Sequence, residues 1–368
     1  MTQLAQRRAD IQGLRALAVS LVVAGHVAPK TISGGFIGVD VFFVISGYVI
    51  TLQMLRLPAE KKGAFLLQFY SRRILRIIPS ALLVIAATIL ATDYYLGLVK
   101  GNEVRLDAGW ASIFLSNFHF HNLSLDYFAA GIERSPLQHF WSLSIEEQFY
   151  LCWPILFLLF ATKNGSQVAR RIFLALLALI SLSLALIQSE VSQSPIFFLT
   201  HVRLWELAVG ALIAFLPESK RFFKYFQALA LCYLLSAAFF IDEIMQWPGA
   251  AAVPVICATA LYLYSSQSNR LNPLNLKIFS YIGDLSYVIY LWHWPILTIL
   301  IAISTDFGTF EIVQVLALTL LFSLLTHHLF EKPIRFASTL RSRPVFTVLI
   351  GLASISMTSL VLFSSHQI

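Results

Sequence analysis

Eleven apolar stretches divide this chain, and its lysines and arginines collect in every second gap between them. The stretches run near 11–28, 36–55, 77–98, 143–161, 172–188, 199–216, 225–241, 248–264, 279–301, 312–330 and 345–364. A helix needs about 20 residues to cross a hydrocarbon core, so they read as membrane spans, the shorter ones held by their neighbours. Counted from a cytosolic N-terminus, the inside gaps hold Arg7, Arg8, Arg56, Lys61, Lys62, Arg72, Arg73, Arg76, Lys163, Arg170, Arg171, Lys220, Arg221, Lys224, Arg270, Lys277, Lys332, Arg335, Arg341 and Arg343. The outside gaps hold only Lys30, Lys100, Arg105 and Arg134, and they lean acidic, with Asp93, Glu103, Asp107, Asp126, Glu133, Glu190, Asp242, Glu243, Asp306 and Glu311. This is the positive-inside pattern, so the net charge of +7 reports topology and not a nucleic-acid partner.

Composition agrees. Hydrophobic residues make up 58% and charged residues 12%, against about 25% charged in soluble domains. The apolar runs are too long and continuous for β-barrel strands, which alternate over about 10 residues. The expected fold is all-α: a polytopic transmembrane helical bundle of about ten core spans plus an eleventh C-terminal span. MTQLAQRRAD, ahead of the first stretch, offers no small-residue cleavage site, so that stretch reads as a retained span. Cys152, Cys232 and Cys257 lie in apolar runs and read as small buried hydrophobes, with neither disulfide nor metal spacing. The segment near 99–142, which contains WASIFLSNFHFHNLSLDYF, is aromatic and amphipathic, and reads as a re-entrant or interfacial helix outside. No internal repeat is evident, which weighs against an inverted-repeat transporter.

Several spans carry residues that hydrocarbon rejects. Arg15 and His26 lie 11 residues apart in the first. At ~100° and ~1.5 Å per residue they share a helical face, ~16 Å apart along the axis. Burying both costs several kcal/mol unless they line a polar interior; the alternative is that Arg15 snorkels inward and His26 sits among outer headgroups. GGFIGVDVFFVISGY follows, with Asp40 at the outer start of the second span, as a helix-start carboxylate or a working one. SRRILRIIPS places Arg72, Arg73 and Arg76 at the inner end of the third span. Arginine forks suit phosphate, so the cluster reads as a site for an anionic cytosolic donor or as ordinary positive-inside anchoring. WSLSIEEQFYLCWP opens the fourth span with Glu146 and Glu147, ~100° apart around the helix, so at most one faces a given cavity. Arg203 and Glu206, three apart, are expected to pair. His293 lies between Trp292 and Trp294, and Glu331 near the inner face in FEKPIR.

Arg15 with His26, GGFIGVDVFFVISGY, SRRILRIIPS, WSLSIEEQFYLCWP, SYVIYLWHWPIL and FEKPIR stand in the order seen in the acyltransferase 3 family. The chain resembles that family over about residues 8–336, with an additional span at 344–364. The resemblance implies an integral-membrane O-acyltransferase of the bacterial inner membrane, N-terminus cytosolic and C-terminus periplasmic. It implies transfer of acetyl from cytosolic acetyl-CoA to a surface carbohydrate, O-antigen of lipopolysaccharide being the first expectation, with no metal. By motif, Arg15 and His26 match the essential basic–histidine pair, Arg73 and Arg76 the basic pair at the cytosolic entrance, and Glu146 the carboxylate of SLS-x-E. Some relatives of this type continue from an eleventh span into an external SGNH-type domain. This chain holds no residues for one, so a separate periplasmic domain or protein is an expected partner, beside membrane lipid, acetyl-CoA and the glycan.

The mechanism expected from both readings has Arg73 and Arg76, with Arg72, holding the donor phosphates. Arg15 stabilises negative charge along the path. His26 acts as general base on a sugar hydroxyl or carries the acetyl group, and Glu146 or Asp40 orients it. The competing readings are a transporter or flippase of a glycan precursor, and a truncated, non-catalytic homologue.

Overall fold

A computed structural model describes residues 8–56, 62–123, 134–159, 167–191, 195–217, 224–242, 245–265 and 272–365. These are all-α, with no strand among them. In chain order the helices are α1 (Ala9–Val27), α2 (Ile37–Leu55), α3 (Lys62–Ser112), α4 (Ser116–Asn122), α5 (Phe140–Leu159), α6 (Gln167–Val191) and α7 (Thr200–Ile213). Then come α8 (Lys224–Phe240), α9 (Ala252–Ser265), α10 (Lys277–Ile303), α11 (Thr309–Leu325), the short α12 (Lys332–Phe336) and α13 (Ser338–Arg341), and α14 (Pro344–Ser365). A π-helical turn, Thr326–Glu331, links α11 to α12. Seven segments among the described residues are long and apolar enough to cross a membrane, and Tyr225–Phe240 and Ala252–Ser265 are apolar but shorter. Of the cationic residues assigned inside, Arg7, Lys61, Lys163, Lys220, Arg221 and Arg270 lie outside the described residues, as do Asp126, Glu133 and Glu243 of the outer set.

The chain divides into two compact units. The first comprises Met1–Leu55, Phe160–Gln193 and His201–Tyr287; the second comprises Arg56–Leu159, Ser194–Thr200 and Val288–Ile368. In the first, α1 and α2 approach to backbone contact. A Cβ on Gly35 would fall on the backbone of Leu21 and Gly25, so only a residue without a side chain lets the pair close this far. α2 meets α7 the same way: a Cβ on Gly47 would meet the Leu207 carbonyl, and one on Gly210 the Val44 carbonyl.

In the second unit, α14 lies against α3, where a Cβ on Gly351 would meet Ile74. The third stretch, expected at 77–98, is part of a much longer helical segment. It starts at Lys62 and continues to Ser112, so the first part of the expected outer loop is helical. The two rods of α3 join at Gly97, whose φ of 84° and ψ of 166° break the helix, in a region that glycine alone occupies readily. An apolarity window ends where side chains turn polar, whereas the helix runs on into KGNEVRLDAGWAS. The remainder of that expected interfacial segment contains α4, and 124–133 lies outside the described residues.

The cysteines correct another expectation: Cys152, Cys232 and Cys257 are all exposed. In a membrane protein the outward surface meets lipid, so an apolar run need not be a buried one. The same holds for outward-facing Leu176, Leu229, Leu320 and Leu360.

Candidate functional site

The first unit holds Arg15, His26 and Asp40. Arg15 and His26 are half-buried on α1, whose remaining surface is largely packed: Leu14, Ala18 and Val22 are fully covered. Arg15 Nη2 donates to Ser286 Oγ at 2.8 Å, and that hydroxyl donates to the Gly283 carbonyl at 2.8 Å. The hydroxyl thus works as acceptor and donor at once, fixing the guanidinium against the start of α10. Arg8, at the mouth of the same helix, grips Asp10 with two nitrogens, at 3.1 and 2.5 Å, and donates to Tyr48 Oη at 2.5 Å. In the sequence, Arg8 counted only toward the positive charge of the inner side.

Asp40 is fully buried, and its partner is Arg203. Nη1 of Arg203 donates to Asp40 Oδ1 at 2.8 Å and to Glu206 Oε1 at 2.7 Å. The expected Arg203–Glu206 pair therefore exists, and Asp40 makes it a triad in which all three side chains are fully covered.

The second unit holds the arginines and the glutamates. Arg72 is exposed; Arg73 and Arg76 are half-buried on α3. The Arg73 guanidinium lies 4.1 Å from the centre of the Tyr150 ring and 5.5 Å from that of Phe69, an arrangement that lowers the cost of partial burial. Tyr150 in turn donates to Glu146. Glu147 is within electrostatic reach of Arg73 and Arg76. Glu331 accepts from His327 Nδ1 at 2.8 Å and Arg335 Nη1 at 3.1 Å, and is also within reach of Arg76. The arginine cluster is thus edged by carboxylates that offset its charge.

The structure also explains polar residues that the sequence left without partners. In SLSIEEQFY, Ser144 meets Ser116 at 2.8 Å. Gln148 donates to the Phe114 carbonyl at 3.1 Å and to Asn117 at 2.9 Å, and accepts from Thr200 at 2.7 Å. These contacts pin α5 to α4. Farther toward the start of α5, buried His139 and His293 lie with ring centres 5.8 Å apart, and Tyr290 shares a 2.5 Å hydroxyl contact with Ser142. His293 is thus not a lone histidine but a member of an aromatic and histidine cluster. Its partner His139 lies 154 positions away in sequence, too far for any periodicity to join them.

Among the described residues, no group of three or more His, Cys, Asp or Glu could hold a metal ion. Residues 8–328 match the acyltransferase 3 family, described as an acyltransferase domain, and the chain belongs to that family. It is 33% identical over 350 residues to the peptidoglycan O-acetyltransferase OatA of Listeria monocytogenes, covering 89% of this chain and 55% of that one. It is 30% identical over 347 residues to the O-acetyltransferase OatA of Staphylococcus aureus (strain NCTC 8325 / PS 47), covering 88% and 57%. The chain spans little more than half the length of these relatives. No solved structure matches it.

Proposed function

We propose that this chain is a membrane O-acyltransferase that moves an acetyl group from cytosolic acetyl-CoA to a hydroxyl of a glycan on the far side of the bacterial inner membrane. The observation that carries this reading is the family match over residues 8–328, which contains Arg15, His26, Asp40, Arg72, Arg73, Arg76 and Glu146 together. The name of the Listeria monocytogenes relative favours peptidoglycan as the acceptor over the O-antigen expected first.

Arg73 and Arg76 suit donor phosphates: both are half-buried, on one face of one helix, and Tyr150 stacks under the first. The thioester, when bound, supplies the activated acyl group. Arg15, held by Ser286, presents a fixed positive charge to the oxygen that gains charge as the acyl carbon is attacked. His26, on the same face, takes the hydroxyl proton or carries the acyl group. Asp40 holds α2 to α7 through Arg203, and Glu146 supports Tyr150 beneath Arg73.

The test uses proteoliposomes with acetyl-labelled acetyl-CoA at the face bearing Arg73. Labelled ester on a glycan in the opposite compartment supports the reading; movement of unmodified glycan with no thioester cleavage replaces it with transport. Comparing O-acetyl content of peptidoglycan and lipopolysaccharide in cells with and without the chain decides the acceptor. His26→Ala is expected to lower transfer by about 10²-fold or more with unchanged thermal stability.

A further inference from the structure

The turn from α3 to α4 holds an aspartate–histidine dyad that none of the roles above uses. His119 Nε2 lies 2.7 Å from Asp107 Oδ1, with side chains 8% and 11% exposed, so both are enclosed yet reach the surface. Trp110 lies flat on the imidazole, ring centres 5.7 Å apart and planes within 11°, and Phe363 of α14 closes on the edge of Trp110. The dyad forms because the chain doubles back sharply after Ser112. Phe114 takes a left-handed conformation, φ 55°, which no glycine relieves. Such a conformation costs of order 1–3 kcal/mol and persists only where surrounding contacts enforce it. Here Gln148 holds the Phe114 carbonyl, and the reversal brings His119 onto Asp107, 12 positions earlier.

An ionised carboxylate only accepts, so Asp107 takes the Nε2 hydrogen and fixes the tautomer whose Nδ1 carries a lone pair. This is the arrangement in which a histidine acts as a general base: one nitrogen oriented by a carboxylate and the ring plane fixed by stacking. The charge pattern of the sequence places this segment on the outer side, where the acceptor arrives.

We propose that His119, oriented by Asp107 and Trp110, is the acid–base residue for the acceptor hydroxyl, which leaves His26 the acyl-carrying part of the two named above. The proposal rests on the acyl-transfer reading above. In the step, the hydroxyl oxygen bonds to the acyl carbon while His119 Nδ1 takes the hydroxyl proton. The carbon–sulfur bond of the thioester donor, or the acyl bond of a carrier residue loaded from it, breaks with its electron pair going to the leaving atom. The proton passes from the imidazolium to that leaving group, so hydroxyl plus thioester gives ester plus thiol. His119 is the catalytic residue, and Asp107 positions it.

The opposing explanation is a latch that only pins α4 to α3. His119→Gln separates the two, because the amide can still donate to Asp107 but takes no proton at neutral pH. In proteoliposomes with acetyl-CoA and an N-acetylglucosamine oligosaccharide as acceptor, H119Q is expected to keep its thermal midpoint and its KM for acetyl-CoA. Ester formation on the oligosaccharide is expected to fall by about 10²-fold. Asp107→Asn, which keeps the hydrogen bond and removes the charge, is expected to lower kcat for the oligosaccharide with KM for acetyl-CoA unchanged. Added imidazole is expected to restore part of the ester formation in His119→Ala. Ester formation by H119Q within twofold of the unaltered chain overturns the proposal. So does a His119→Ala whose ester formation imidazole leaves unrestored and whose thermal midpoint falls, the result a latch predicts. An unaltered chain that cleaves no thioester overturns the acyl-transfer reading itself, an outcome visible before any variant is made.

Discussion

At the scale of single residues, side chains close in sequence could be paired by reading, and distant ones could not. Arg203 and Glu206 share a helical face at a spacing of three, so their contact was legible; Asp40 joins them from 163 positions away. Arg15 finds Ser286 across 271 positions. Which of several polar residues faces a given cation is decided by packing that no local pattern encodes. The triad has an energetic consequence. Removing its cation leaves two carboxyl groups fully buried together, and breaking a buried pair from one side costs about 3–5 kcal/mol. Arg203→Met is therefore expected to lower the thermal unfolding midpoint in detergent strongly. Adding Asp40→Leu and Glu206→Met to it is expected to recover most of that loss, because a well-packed apolar set needs no counter-charge. If the triple variant unfolds as early as Arg203→Met alone, the stability of α2 against α7 does not rest on charge compensation.

At the scale of elements, every one of the eleven apolar stretches contains a helix, because a chain in hydrocarbon must satisfy its backbone internally. The lengths were less legible. α3 is two rods joined at Gly97, and α4 follows a strained turn, since neither helix continuation into water nor a left-handed phenylalanine leaves a hydropathy signal. The glycines were legible as packing residues but not as partners. Gly47 lies against the Leu207 carbonyl and Gly210 against the Val44 carbonyl, two contacts of the same helix pair. Each Gly→Ala substitution is expected to cost about 1–3 kcal/mol by forcing α2 and α7 apart. Made together they are expected to cost less than their sum, because the first displacement already makes room for the second. Additive losses in thermal unfolding would mean the two contacts yield independently. Gly97→Ala is a different case: nothing lies within 4 Å of its Cβ position, so its expected cost of about 1–3 kcal/mol comes from the backbone alone.

At the scale of the whole molecule, the proposed reaction has a direction, and the direction rests on where charges lie along the chain. Twenty of the 26 lysines and arginines fall in gaps of one parity. Because cationic loops near span ends resist translocation, that parity predicts which face meets the donor of the proposed reaction. Four exposed positions sample both faces: Glu103 and Asp306 in gaps assigned outside, Arg56 and Arg343 in gaps assigned inside. Cys152, Cys232 and Cys257 are exposed in the absence of lipid, so they are first replaced by alanine, and single cysteines are then placed at the four sites. A membrane-impermeant maleimide applied to intact spheroplasts is expected to label the Glu103→Cys and Asp306→Cys chains. It is expected to reach the Arg56→Cys and Arg343→Cys chains only after the membrane is opened. The reverse pattern would put Arg73 and Arg76 on the side without acetyl-CoA and His119 on the side without the acceptor glycan, and no assignment of roles to those residues would survive it. A mixed pattern would place the error in a particular span, since each label reports on the parity of all spans before it.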